Sequence, residues 1–228
     1  MDLYEALYTT RAMRRVRDEA IPIDAQARIL DAAIRAPTGG NLQGWRFVLV
    51  DDKGLIASIG SLYRDAMSQL WQTVYRDRIE AAQRAPRTAE TEQFERVRRS
   101  AQWLADNFET VPLLLCAFTR SDPSGGSIYP AVWSAMLAAR AEGIGSCLTA
   151  VLSVFHHRAV LELLGVPEDA GWSMAACVTM GYPRGTWAVA PRRAVDEVAH
   201  RNRWGDPAGL DAPGPLWPAQ RLDASTER

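Results

Sequence analysis

Four apolar runs of strand length, separated by segments of helical period, constrain what this chain can fold into. They are "WRFVLVDD" (45–52), "VPLLLCAFTR" (111–120), "SCLTAVL" (146–152) and "GWSMAACVTMGYP" (171–183). The first is rich in aromatic and β-branched residues, as strands are. The second is apolar nearly throughout, as in a strand covered on both faces. Strands that alternate with helices make an α/β or α+β domain. With no internal repeat and no linker, the simplest organisation is one domain carrying a long helical insertion.

The helical segments follow from spacing and punctuation. "DLYEALYTT" places Leu3, Ala6 and Leu7 on one face. In "IPIDAQARILDAAIRAP", Asp24 reads as the N-cap, Ile29, Leu30, Ala33 and Ile34 form the apolar side, and Pro37 is the stop. Residues 54–106 read as charged and helical, with Pro86 marking a turn between two helices. "IYPAVWSAMLAARAEGIG" and "HHRAVLELLGVP" are helices that end at glycine. From Arg201 onward, four prolines, three glycines and no clear period read as an extended arm.

Composition excludes several function classes. The formal net charge of −1 over 228 residues argues against a general nucleic-acid or anionic-membrane binder. No apolar run approaches the ~20 residues of a membrane span. The N-terminus "MDLYEALYTT" has no signal-peptide pattern, so a cytoplasmic protein is expected. Cys116, Cys147 and Cys177 are far apart in apolar stretches and read as buried, inert thiols rather than a disulfide or zinc framework. Lys53 is the only lysine, so a phosphate held by charge here would be held by arginine forks.

Three pieces stand out as candidate chemistry: the basic "RAMRR" (11–15), the loop "PTGGNLQGW" (37–45), and "APRRAVDEV" (190–198) after the last strand. None fits the phosphate loop or the dinucleotide fingerprint. Alone, each reads as solvated charge or a plain turn. Together they suit a mononucleotide: arginines for a phosphate, Asn41 and Gln43 for the edge of a polar ring, and glycine where backbone meets a flat ring.

The order "ALYTTRAMRRV…ILDAAIRAPTGGNLQGWRFVLV…GIGSCLT…MGYP…PRRAVDEV" resembles the nitroreductase family of FMN-dependent oxidoreductases over nearly the whole chain. The likeness is weakest over about 54–110 and in the arm at about 201–228. It implies an α+β fold: a three-layer α/β/α sandwich around a central, mostly antiparallel sheet, in a domain-swapped homodimer whose FMN sites lie at the subunit interface. Residues 1–228 would form a single FMN-binding domain, with the 54–110 insertion covering the substrate face and the arm, with Trp204 and Trp217, wrapping the partner. A disordered tail is the alternative for the arm.

By this resemblance Arg11, Ala12, Met13 and Arg14 grip the FMN phosphate and ribityl chain, and Arg14 sits near the flavin pyrimidine edge and tunes it. The family often has a basic residue where this chain has Thr10 and a serine where it has Ala12, which would shift the phosphate toward Arg11 and the late arginines. Pro37, Thr38, Gly39, Gly40, Asn41 and Gln43 would run along the isoalloxazine edge. Gly44 replaces a common proline, implying a looser loop, and Trp45 would be core. Leu148, Thr149 and Ala150 would lie against the flavin ring, with the "GIG" before them also a plain helix stop, and Arg192 and Arg193 would complete the phosphate site. Tyr63, Trp71, Tyr75 and Phe94 could line a pocket, although aromatics at that spacing are more often core.

The implied reaction is ping-pong hydride transfer from NADH or NADPH through FMN to a nitroaromatic, a quinone or a similar small molecule. No acid–base pair or triad is evident, and His156, His157 and His200 are poor catalytic candidates. Reductive dehalogenation of a halogenated phenol, fragmentation of the flavin, and non-catalytic sequestration of FMN are the alternatives.

Overall fold

A computed structural model describes residues 1–84 and 86–210. Its helices and strands in chain order are α1 (Leu3–Thr9), α2 (Ile23–Ala33), β1 (Trp45–Val50), α3 (Lys53–Gln72), α4 (Arg76–Arg84), α5 (Ala89–Asp106), β2 (Leu113–Thr119), α6 (Ile128–Ala141), β3 (Gly145–Thr149), α7 (Val151–Phe155), α8 (His157–Leu163) and β4 (Ser173–Gly181). The chain divides into two compact units: residues 12–186, and a smaller one made of 1–11 with the segment from Trp187 onward.

The larger unit is built on a four-stranded sheet of order β1-β2-β4-β3. All three pairings are antiparallel, with Trp45 opposite Thr119, Cys116 opposite Cys177, and Thr149 opposite Cys177. Period-two alternation sends β2 side chains to both faces. Leu114, Cys116 and Phe118 pack with Ile56, Ile59, Leu104 and Phe108 from the α3 and α5 side. Leu113, Leu115 and Ala117 pack with Ile29, Val132 and Ala135 from α2 and α6. The unbroken apolar run of β2 is thus explained by helices on both faces, which makes the three layers.

Local chemistry sets the helix ends. The Asp52 carboxylate accepts from the Leu55 amide at 2.8 Å and starts α3. Thr88 and Thr91 cap α5 reciprocally, just after Pro86. Asp24 does not cap α2: the helix begins at Ile23 behind Pro22, and Asp24 lies in its first turn. There it accepts from Arg28 at 2.8 Å, while the rest of that guanidinium forks onto Glu142 at 2.8 and 2.9 Å, tying α2 to the end of α6. Arg28 holds both carboxyls below their usual range. Residues 146–152 divide sooner than their apolar run suggests, because β3 stops at Thr149 and α7 starts at Val151. The three cysteines are free and buried. No helix among the described residues is long and apolar enough to cross a membrane.

In the smaller unit, Asp2 caps α1 by accepting from the Tyr4 and Glu5 amides at 2.9 and 3.3 Å. The first part of the arm turns back on itself. His200 bridges to Pro207, and the Arg201 Nε donates to the Ala208 carbonyl at 2.7 Å. Trp204 projects into solvent. Trp217 lies outside the described residues, as does the remainder of the arm.

Candidate active site

The segment after α1 is laid along the free edge of β3. Ala12 pairs in parallel with Ser146, and the Met13 amide donates to the Ser146 carbonyl at 2.9 Å. Farther on, Arg17 N donates to Tyr182 O at 2.8 Å and Arg184 N to Arg15 O at 2.9 Å. This close approach explains the second glycine of "GIG". A Cβ on Gly145 would sit 2.8 Å from the Met13 Cβ, closer than side-chain atoms tolerate. The first, Gly143, has φ +74° and ends α6, so the helix-stop reading of the motif holds.

Arg14, the next residue, is half-buried and turned toward the helices. Its Nη1 lies 3.5 Å from the Ser100 hydroxyl of α5. It lines a cavity of about 320 Å3 with Cys147, Leu148, Thr149, Ala150 and Val151 on one side. On the other stand Tyr63, Met67, Leu70 and Trp71 of α3, Tyr75 and Arg78, and Phe94, Val97, Arg98 and Ala101 of α5. All four aromatics considered from the sequence therefore face one cavity. Tyr63 and Phe94 are also almost fully buried, so they belong to core and cavity alike.

The electrostatics of this cavity are one-sided. Its lining holds three arginines and no carboxylate or histidine. Burial pushes the Tyr63 phenol well above its usual range, against the opposing hydrogen bond with Thr149 and the Arg14 charge. Tyr63 therefore stays a neutral hydroxyl. Burial also raises the Cys147 thiol despite Arg14 beside it, so this cysteine is not a thiolate nucleophile. Such a site can hold a planar ring and stabilise negative charge on it. It carries no proton-transfer pair of its own.

The loop "PTGGNLQGW" lies elsewhere. Pro37 to Gln43 lead into β1, at the opposite edge of the sheet from β3 and on the α2 side. Two strands intervene, a separation of about 14 Å at ~4.8 Å per step. The loop contains three left-handed residues, Gly40 (φ 57°), Asn41 (φ 54°) and Gln43 (φ 48°). Gln43 N donates to the Thr38 hydroxyl at 3.2 Å, and Gln43 Nε2 to Asn41 Oδ1 at 3.2 Å. The Asn41 amide nitrogen and the Gln43 carbonyl oxygen stay exposed, one donor and one acceptor side by side. Gly39 carries no such constraint and is open to solvent. The loop is anchored at Gly44, contrary to the looseness expected there. The Gly44 carbonyl accepts from Arg120 N at 3.0 Å, and a Cβ at Gly44 would meet the Arg120 carbonyl oxygen at 2.9 Å. Trp45 is core, as expected.

Arg11, Arg192 and Arg193 fall in the smaller unit, exposed. Arg192 Nη1 donates to its neighbour Pro191 O at 2.9 Å. Thr10, in the same unit, is buried with a hydroxyl that has no hydrogen-bond partner among the described residues. Sequence reasoning missed Arg78, Arg98 and Ser100. A signal was present for one of them: Phe94, Val97, Arg98 and Ala101 follow an inward helical spacing that is apolar except for the arginine.

Comparison with known proteins agrees with this architecture. The family model described as "Nitroreductase family" matches residues 7–182. A 5,6-dimethylbenzimidazole synthase of Rhodospirillum rubrum is 30% identical over 198 residues, covering 80% of this chain and 83% of that one. The structure of oxidized iodotyrosine deiodinase bound to FMN and 3-iodo-L-tyrosine is similar with a TM-score of 0.71 at 23% identity, over 89% of this chain and 100% of the other. The FMN-dependent nitroreductase NfnB from Mycobacterium smegmatis, in complex with NADPH, is similar with a TM-score of 0.63 at 22% identity, over 89% and 100%. With the family model spanning most of its length, from α1 to the end of β4, this chain belongs to the nitroreductase family.

Proposed function

We propose that this protein is an FMN-dependent oxidoreductase that works as a homodimer. The observation that carries the reading is Arg14: a half-buried guanidinium that reaches the Ser100 hydroxyl at 3.5 Å and the neutral Cys147 thiol, turned into an aromatic cavity whose lining holds no carboxylate. The residues fit the cofactor. Leu148 offers an exposed apolar face on β3 between two buried neighbours, and the cavity lies within the ~300–1,000 Å3 of small-molecule sites. Within the smaller unit, the orphaned Thr10 hydroxyl and the exposed guanidinium groups of Arg11, Arg192 and Arg193 suit a phosphate.

When bound, FMN would supply the redox chemistry, a hydride transfer from NADH or NADPH to a small acceptor such as a nitroaromatic or a quinone. The protein's own residues bind and tune. Arg14 favours negative charge on the ring beside it. The Leu148–Ala150 segment would lie along the ring, and side chains of α3 to α5 would cover the opposite side of the cavity. Within one chain the Pro37–Gln43 loop and Arg14 lie at opposite edges of the sheet. A second copy that presents its own loop would complete each site. The exposed apolar side chains of Tyr129 and Trp133 on α6, and of Leu42 in the loop, suit that association.

The halogenated aromatic ligand of the similar deiodinase supports reductive dehalogenation as a second reading. One experiment tests the core of the proposal: the absorbance spectrum of the purified protein, followed anaerobically as NADH or NADPH is added. A bound flavin that bleaches is expected. A colourless protein that FMN does not reconstitute would refute the proposal, and a flavin that stays oxidised with both nicotinamides would leave FMN binding without this activity.

A further inference from the structure

The three arginines lining the cavity are not equivalent. Arg98 is neutralised, donating to Glu95 through Nε at 3.2 and 3.3 Å and through Nη2 at 2.9 Å. Arg14 is assigned to the flavin. Arg78, on α4, is left over. Its guanidinium lies over the Phe94 ring, 4.4 Å from the centroid, and it makes no ion pair among the described residues. Glu80, on the same helix, is engaged by Arg84 at 3.1 Å.

The rings beside Arg78 form a row. Trp71 and Tyr75 have centroids 5.5 Å apart, and Tyr75 and Phe94 6.1 Å. A guanidinium stacked on a ring keeps its N–H edge free, and that edge is a fork matched to a carboxylate. The row supplies apolar area to a flat molecule, and the unpaired cation supplies a reason for that molecule to be charged.

From these contacts we infer that the acceptor taken by this protein is a planar aromatic carboxylate. Its ring lies against Trp71, Tyr75 and Phe94, and its carboxylate sits in the Arg78 fork. That this ligand is an acceptor rests on the proposed oxidoreductase function; its recognition does not.

The test uses two matched pairs with the flavin-loaded protein. Equilibrium binding compares 4-methylbenzoate with 4-methylbenzyl alcohol by calorimetry, which needs no turnover. Kinetics compares kcat/KM for 4-nitrobenzoate and 4-nitrobenzyl alcohol. The acid is expected to be favoured by about five- to tenfold in both, through Kd and KM rather than kcat. In Arg78→Gln the acid-to-alcohol ratio should fall to within about twofold of one, and Arg78→Lys should retain part of it. Arg78 is exposed on its helix, so these variants should fold. Equal binding of acid and alcohol, or a preference that survives Arg78→Gln, would overturn the inference. Acid-selective binding without nicotinamide bleaching would uphold the recognition of an aromatic carboxylate while its role as acceptor fails with the proposed function. Bleaching without acid selectivity would do the reverse.

Discussion

Replacing Gly145 with alanine tests how the fold delivers Arg14. The added Cβ would stand 2.8 Å from the Met13 Cβ and 3.3 Å from its Cγ, well inside the 3.4 Å at which ordinary contact begins. The Cγ can rotate away. The Met13 Cβ cannot, because its backbone is tied by the amide bond to Ser146 O at 2.9 Å. The segment must therefore lift off β3 by about half an ångström or more, or the strand must bend. Overpacking of this kind costs about 1–3 kcal/mol. For a chain of this size each kcal/mol lowers Tm by about 2–4 °C, so a fall of roughly 2–12 °C is expected by calorimetry. Because Arg14 follows directly, FMN should also dissociate more readily, read as a raised Kd on titration of the stripped protein. An unchanged Tm together with an unchanged Kd would refute the claim that a tight seam at Gly145 positions the arginine.

Other perturbations separate the remaining roles. Arg14→Gln should make bound flavin harder to reduce by about 20–45 mV, the equivalent of ~1–2 kcal/mol for a two-electron couple, and should weaken FMN binding less; an unchanged potential counts against electrostatic tuning. Changing Arg192 and Arg193 together to glutamine should weaken FMN retention about 10- to 100-fold, and a double variant that purifies fully loaded would remove both from the phosphate site. The Asp65 carboxyl is held below its usual value of 3.8 by Gln69 and by His156, whose ring nitrogen lies 2.6 Å away. A depressed folded value means that this contribution to stability is complete above the unfolded value and is lost as pH falls through the folded one. Asp65→Asn should thus flatten the acid limb of the stability profile below about pH 5, and urea midpoints that keep the same slope there would exclude the contact.

Much of this arrangement is legible in the sequence because burial leaves a period. The double-faced run at 111–120 announced a strand with helices on both sides, and Pro86 marked the turn before α5. The misses have physical causes. The end of β3 was hidden because Ala150, Val151 and Leu152 continue the apolar run from strand into helix, and hydrophobicity alone does not mark that change of period. The break between α3 and α4 carries no glycine or proline, only Thr73 to Tyr75, so nothing local signals it. Asp24 has the chemistry of a cap but lies in the first turn of α2, because Pro22 precedes the helix and leaves the next acidic residue inside it.

The site was harder to read than the fold because its parts are near in sequence pattern and far apart in space. "RAMRR" and "PTGGNLQG" lie within thirty-three residues of each other, yet β2 and β4 stand between the strand edges they occupy. A motif list carries no information about which chain supplies which half. Sheet order does, on the proposed homodimer: the loop at the β1 edge of one copy and the arginine at the β3 edge of the other would serve one flat ligand. The aromatic side chains carry a similar ambiguity. Tyr63 and Phe94 satisfy every criterion of core residues because the cavity they line is itself cut into the core. Only the arginines among them, which a core would exclude, mark the place as a site.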